Sequence, residues 1–302
     1  MHLDPIIKWS GSKRSQAEAI VARMPRELDT YYEPFCGGCS VLFRLLNTPS
    51  VKVSRYVASD INADLIALWR MIRDDPMLLC MGYETMWMEF NELEGTGDLA
   101  KVYDARKQYF YEVRERYNGE HNPIDFFFLM RTTTNGMPRY NDKGAFNNSC
   151  HFYRPGIHPV RMKEICFEWS RLLKAKNVDF LVASYETFHP TSKDVLYLDP
   201  PYASVHKRQM YFGGIDIEAL VEWLFSQECK WILSFDGKRG DTDCTYNLPP
   251  SLYKRHEYLN AGNSSFERYL GKGKTEKVLE SLYMNFEPSL EETKTFQQGL
   301  LF

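Results

Sequence analysis

No stretch of this 302-residue chain approaches the roughly 18 consecutive apolar residues that a membrane-spanning helix needs. The opening residues carry no apolar core after their first charges, so no signal peptide is expected either. Cysteine is sparse: seven residues, an odd number without framework spacing, fit a reducing cytosol and exclude a disulfide scaffold. The seven histidines lack metal-ligand spacing, and no G-x-G-x-x-G stands at a strand–helix junction, which sets a dinucleotide oxidoreductase aside. An excess of positive charge is missing as well. With 37 Lys and Arg against 40 Asp and Glu the net charge is −3, which taken alone argues against a nucleic-acid binder. What is present is ordinary for a globular protein, 44% hydrophobic and 25% charged residues, and excludes wholesale disorder. The length allows one large domain or two modest ones.

The charge is not evenly spread. Residues 131–176 hold nine basic side chains and three acidic ones, a local balance of +6 that leaves −9 for the remainder. Such a segment suits a phosphate-facing surface, because polyanion contacts need Lys and Arg gathered on one face. The alternative is that several of these charges only solvate a helix over residues 159–176, with Val160, Ile165, Phe167 and Leu172 as its core stripe.

Strand-then-helix patterns occur twice near the start. Residues 30–35 are β-branched and aromatic, are broken by Cys36-Gly37-Gly38, and lead into a helix near Ser40. Residues 55–59 read as a strand ending at Asp60, with Asn62 placed to cap the next helix. Further strands are expected at 178–182, 194–198, 230–235 and 277–285, with a helix at 215–227. The alternation predicts an α/β fold with an open, mostly parallel, Rossmann-like sheet, whose ligands bind at the carboxyl ends of the strands. The intervening text is helix-forming and aromatic-rich: helices near 76–93, 98–117 and 123–131, then a hairpin turning at Asn141-Asp142-Lys143-Gly144. The expected organisation is therefore a catalytic domain in two parts, residues 1–73 and 168–286. Residues 74–167 are inserted between them as a mainly helical recognition domain carrying a β-hairpin, and residues 287–302 form a polar tail.

Asp199-Pro200-Pro201-Tyr202 follows a buried-strand run, which puts the four residues at the sheet's carboxyl edge. The prolines remove two backbone donors and leave acceptors only. The Asp199 carboxylate, the Pro200 carbonyl and the Tyr202 ring together suit a planar ring bearing an exocyclic amine. The acceptors take the amino hydrogens and the aromatic face stacks. An aromatic amine is a poor nucleophile because its lone pair is delocalised; hydrogen bonds that draw its hydrogens out of plane localise that pair toward an electrophile. The alternative is a plain proline-rich turn.

Four motifs in order carry a family resemblance. Lys8-Trp9-Ser10-Gly11-Ser12-Lys13 matches the KWxGxK opening of Dam-type adenine-N6 DNA methyltransferases. Glu33-Pro34-Phe35-Cys36-Gly37-Gly38-Cys39-Ser40 resembles their EPFxGxGS cofactor loop. Ala58-Ser59-Asp60-Ile61-Asn62 is similar to their acidic turn, and Asp199–Tyr202 to their catalytic motif. Arg139-Tyr140-Asn141 with Gly144, Phe146 and Asn147 resembles their recognition hairpin. Two departures stand out: Cys39 replaces the loop's second glycine, and Thr134 and Asn148-Ser149-Cys150 differ at positions that touch DNA, so GATC specificity does not carry over.

The resemblance implies S-adenosylmethionine as donor, N6 of a flipped adenine in double-stranded DNA as acceptor, and a cytoplasmic, nucleoid-associated location. Asp199, Pro200, Pro201 and Tyr202 are the catalytic candidates. Trp9, Lys13, Phe35, Gly37, Asp60, Ile61, Ser184, Tyr185 and Asp199 are the cofactor candidates, with Phe35 and Ile61 on the faces of the cofactor adenine and Asp60 on the ribose. Lys13, Asn135, Arg139, Asn141, Lys143 and Asn147 are the DNA candidates. No metal is required for the transfer, and Cys36/Cys39 lack the second ligand pair of a zinc site. Gly271-Lys272-Gly273-Lys274-Thr275 lacks the Walker spacing, and Phe126-Phe127-Phe128-Leu129 reads as core. The tail Gln298–Phe302 resembles a sliding-clamp docking peptide, with Gln298, Leu301 and Phe302 as anchors; the other reading is that it folds back onto the core. Two rival functions are a methyltransferase acting on RNA adenine or a protein amide, and a catalytically lapsed DNA- or clamp-binding protein.

Overall fold

A computed structural model describes residues 5–9, 11–92, 95–134, 138–201, 215–264 and 276–288. These divide into two compact units. The first comprises the described residues within 5–12 and 60–182; the second comprises those within 13–59, 183–201 and 215–288.

The second unit is built on a sheet. Its parallel core consists of β1 (Glu27–Glu33), flanked by β2 (Lys52–Asp60) and β4 (Val195–Leu198), with β5 (Lys230–Arg239) beyond β4. Two antiparallel strands, β8 (Glu276–Met284) and then β7 (Arg255–Ser264), complete the order β2-β1-β4-β5-β8-β7, and the short β6 (Thr242–Asp243) pairs with β5. All four residues of β4 are buried, the mark of a strand covered on both faces. A carboxylate fixes where β4 begins. Asp194 Oδ1 accepts from the Thr30 amide at 2.8 Å, and its Oδ2 accepts from the Thr191 amide at 2.7 Å and hydroxyl at 2.9 Å. The register between β5 and β8 shifts between Phe235 and Lys238, around Gly237. A Cβ there would lie 2.3 Å from the Leu279 carbonyl oxygen, so only glycine allows the strands to meet. Helices α1 (Ala17–Val21), α2 (Ser40–Leu46) and α8 (Ile217–Phe225) also belong to this unit. Leu220 and Leu224 of α8 pack into a core with Leu196, Leu198, Trp231 and Leu233.

The first unit is mainly helical: α3 (Ala63–Asp74), α4 (Pro76–Phe90), α5 (Leu99–Glu120), α6 (Pro123–Thr132) and α7 (Pro159–Ala175), followed by β3 (Val178–Val182). Its helix starts are written locally. Asn62, Asp75, Asp98, Asn122 and His158 each accept a backbone amide of the first turn, and α4, α6 and α7 begin with proline, which needs no donor there. The Phe126–Leu129 run is fully buried, as expected of core. Trp69 of α3 stacks on Phe180 of β3 with centroids 5.6 Å apart and rings 2° from parallel. One expectation fails. In α7 the buried stripe is Met162, Ile165, Cys166, Trp169 and Leu173, whereas Val160 is 62% exposed and Phe167 37%. Positions 162, 165, 166, 169 and 173 keep the three- and four-residue steps of one helical face; 160, 165, 167 and 172 do not.

Candidate functional site

At the carboxyl edge of the parallel strands in the second unit, charge is buried and paired. Lys13 lies just ahead of α1 and is almost completely inaccessible, 3% exposed. Its ammonium stands 2.7 Å from Asp199 Oδ1, immediately after β4, and 3.4 Å from Glu280 Oε2 of β8. Burial alone lowers a lysine pKa, but the Asp199 and Glu280 carboxylates outweigh it and the Lys13 pKa is raised. The Gln16 amide donates to Glu280 Oε2 at 2.9 Å. One strand over, at the end of β1, the Tyr31 hydroxyl donates to Glu33 Oε2 at 2.6 Å. Burial and then the nearby Asp199 charge push the Glu33 carboxyl up to about 8, against the hydrogen bond from Tyr31. Glu33 is therefore protonated at neutral pH and adds no second negative charge beside Asp199. The Tyr197 and Ser234 hydroxyls hydrogen-bond at 2.9 Å in the same strand layer.

The loop after β1 turns through two left-handed residues. Gly37 has φ +45°, and Cys39, with φ +53° and ψ +36°, precedes α2. The Cys36 amide donates to the Ser59 carbonyl at 2.9 Å, and the Cys39 amide to the Cys36 carbonyl at 2.6 Å. A left-handed conformation at Cys39 is the physical reason that glycine suits that position; cysteine adopts it at a cost of about 1–2 kcal/mol. Cys36 and Cys39 are both buried and form no disulfide. Beside this loop the rings of Phe35 and Tyr185 lie with centroids 5.6 Å apart, tilted by 33°, with Trp223 edge-on to Tyr185 at 5.1 Å. Ser184 directly precedes the 3-10 turn Tyr185–Thr187.

In the first unit, Asp60 ends β2, and its Oδ1 accepts the Asn62 amide at 3.0 Å, which fixes the carboxylate in the turn before α3. Ile61 is 53% exposed, an apolar side chain held out from the turn. The hairpin that carries Arg139 is closed by a bridge between Tyr140 and Phe146. At its tip the Gly144 amide donates to the Asn141 carbonyl at 2.8 Å, and Gly144 has φ +79°. The Asn141 side-chain oxygen accepts from the Lys143 and Ala145 amides, both at 3.0 Å, so it shapes the turn. Buried Asn148 accepts the Arg139 amide at 2.6 Å. The side chains of Arg139, Lys143 and Asn147 are exposed. Trp9 is half-buried, and Pro200 and Pro201 continue from Asp199. Ser10, Asn135, Tyr202, the 271–275 segment and the anchors Gln298, Leu301 and Phe302 lie outside the described residues.

A model of the D12 class N6 adenine-specific DNA methyltransferases matches residues 9–217, from the first motif through the last. The chain belongs to that family. It is 31% identical over 227 residues to the type II methyltransferase M.MjaIII of Methanocaldococcus jannaschii, covering 70% of this chain and 73% of that one. It is 32% identical over 203 residues to a DNA adenine methylase of Vibrio cholerae, covering 65% and 64%. With the DNA adenine methylase of Escherichia coli K12 it shares 29% identity over 204 residues, again 65% and 64%. The chain thus spans just under two thirds of the length of the two bacterial relatives. Family membership makes it an enzyme of adenine-specific DNA methylation. Among the described residues no group of His, Cys, Asp and Glu could hold a metal ion, and no helix is long and apolar enough to cross a membrane.

Sequence reasoning had Asp199 and Lys13 separately but not their pairing, and it missed Glu33 and Glu280. A signal for Glu280 existed. In β8 it alternates in phase with buried Leu282 and Met284, and a charge on a buried face implies a partner.

Proposed function

We propose that the enzyme transfers a methyl group from S-adenosylmethionine to N6 of an adenine flipped out of duplex DNA, with Asp199–Tyr202 as the catalytic segment. The observation that carries this reading is the Asp199 carboxylate, held at the end of β4 by a buried ammonium 2.7 Å away. In the second unit the aromatic pair at Phe35 and Tyr185 and the loop opened by Gly37 suit an adenosyl group, and in the first unit the turn-fixed carboxylate at Asp60 suits ribose hydroxyls. When bound, the cofactor supplies a methyl group already activated by its sulfonium. The family resemblance would put Phe35, Ile61 and Tyr185 on its adenine with Ser184 lining the same part, Asp60 on the ribose hydroxyls, and Trp9 toward its reactive end.

Asp199 and the Pro200 carbonyl accept the two N6 hydrogens and localise the nitrogen lone pair, while Tyr202 stacks on the extruded base. Pro201 stiffens the segment. Lys13 acts on Asp199 as a positioning residue, pairing with the carboxylate and fixing its direction. Arg139, Lys143, Asn147 and Asn135 meet DNA from the inserted domain, residues 74–167, and Asn141 holds the hairpin in the shape that presents them. Incorporation of labelled methyl into duplex DNA, RNA and protein, followed by nucleoside analysis, tests the reading. N6-methyladenine in DNA is expected, and label confined to RNA or protein would overturn it.

A second proposal concerns the tail: Gln298, Leu301 and Phe302 form a peptide that docks on a bacterial sliding clamp, as a glutamine followed by apolar anchors would. Equal retention on immobilised clamp with and without the last five residues would contradict it. A cytoplasmic, nucleoid-associated location follows from these DNA and clamp contacts.

A further inference from the structure

A relay of side-chain hydrogen bonds runs from the acidic turn to the recognition hairpin inside the first unit. Asn62 serves three groups at once. Its amide donates to Asp60 Oδ1 at 3.0 Å, its Oδ1 caps α3 by accepting the Leu65 amide at 3.0 Å, and its Nδ2 donates to the Tyr140 hydroxyl at 3.2 Å. The Tyr140 hydroxyl in turn hydrogen-bonds to that of Tyr117. The Tyr117 hydroxyl donates to Asp64 Oδ2 at 2.5 Å, and His121 Nδ1 lies 2.9 Å from the same oxygen. The relay is wedged by aromatic packing: Phe146 stands edge-on to Tyr140 at 5.9 Å and to Tyr117 at 5.7 Å. Burial raises the Tyr140 pKa to about 12 against its hydrogen bonds with Asn62 and Tyr117, so the hydroxyl keeps its proton and can donate it to the Tyr117 oxygen while accepting from Asn62.

Tyr140 sits between Arg139 and Asn141 on the hairpin strand, and Asn62 lies two residues from Asp60. One hydrogen bond therefore ties the backbone that presents the DNA-reading side chains to the turn that presents the ribose-binding carboxylate. We infer that Tyr140 is a positioning residue that couples the two ligands, so that DNA seated on the hairpin tightens cofactor binding at Asp60 and the reverse. This rests on the function proposed above. Coupling of this kind is reciprocal and equals the difference the bond makes between the singly and doubly bound states. Tyr140→Phe removes the hydroxyl and keeps the ring against Phe146; Asn62→Ser removes the Nδ2 donor and keeps a good helix cap.

The test uses the full chain, with S-adenosylhomocysteine as probe titrated alone and beside a duplex carrying the sequence that the enzyme methylates. The wild-type protein is expected to bind the probe more tightly with the duplex. Tyr140→Phe is expected to lose about fivefold of that tightening, equivalent to about 1 kcal/mol, while its affinity for the probe alone is kept. Asn62→Ser is expected to lose a similar factor, and the double variant no more than either. A folded Tyr140→Phe protein with the full tightening would overturn the inference, as would a wild-type protein whose affinity for the probe ignores the duplex. A wild-type protein that binds neither ligand would instead overturn the underlying function.

Discussion

The end of β4 and the 139–147 hairpin treat polar side chains in opposite ways. At the strand end, Lys13 and Asp199 are withdrawn from water, 3% and 17% exposed, and satisfy each other; Glu33 is buried in protonated form. On the hairpin, Arg139, Lys143 and Asn147 face solvent, and buried or turn-forming groups such as Asn148 and Asn141 hold only the backbone beneath them. The difference is the one that the proposed roles require. A group that must be oriented before a reaction benefits from a dry site in which electrostatic interactions are strong and geometry is fixed in advance. A group that must exchange water for phosphates and base edges has to remain exposed until DNA arrives, so the fold can fix only its platform.

The comparison predicts unequal costs of substitution. The largest falls on Lys13→Met, which leaves the Asp199 and Glu280 carboxylates in place without their counter-charge. Removing one partner of a buried ion pair costs about 3–5 kcal/mol, so the urea unfolding midpoint should fall sharply; an unchanged midpoint would break the contrast. Next is Glu33. Its carboxyl holds a proton in the fold up to about 8, whereas the unfolded chain loses it near the ordinary glutamate value of 4.5. Between those values the native state binds the extra proton, so stability falls as pH rises from 4.5 to 8 and levels off above. Glu33→Gln should flatten that slope in a pH series of melting curves, and an identical slope would remove Glu33 from the account. The smallest effect is expected for Arg139→Ala, which should weaken binding to target duplex by about 1–3 kcal/mol while leaving the melting temperature within a degree or two. A large loss of stability would show that Arg139 belongs to the scaffold.

The sequence made the architecture legible wherever chemistry is local. The helix cap at Asn62, the buried run that becomes β4 and the turn at Asn141–Gly144 rest on short-range rules, and the fold follows them. The positive φ at Cys39 likewise explains why a glycine is the expected residue there. What was not legible depends on partners far apart in the chain. Lys13 and Asp199 are separated by 186 positions, and Asn62 and Tyr140 by 78, so no spacing rule connects them. The α7 stripe differs in kind: the three- and four-residue steps of one face are local, and 162, 165, 166, 169 and 173 keep them whereas 160, 165, 167 and 172 do not. The net charge of −3 was uninformative because it averages a +6 segment at residues 131–176 with a −9 remainder.

The central claim is that Asp199 acts on the amine in addition to its ion pair with Lys13. The most direct measurement is single-turnover methyl transfer to target duplex by Asp199→Asn, with S-adenosylmethionine affinity measured on the same preparation. The substitution keeps the shape and removes the charge. Transfer should fall by about 10²–10³-fold or more with cofactor affinity within a few-fold of the original; transfer at an undiminished rate would contradict the account.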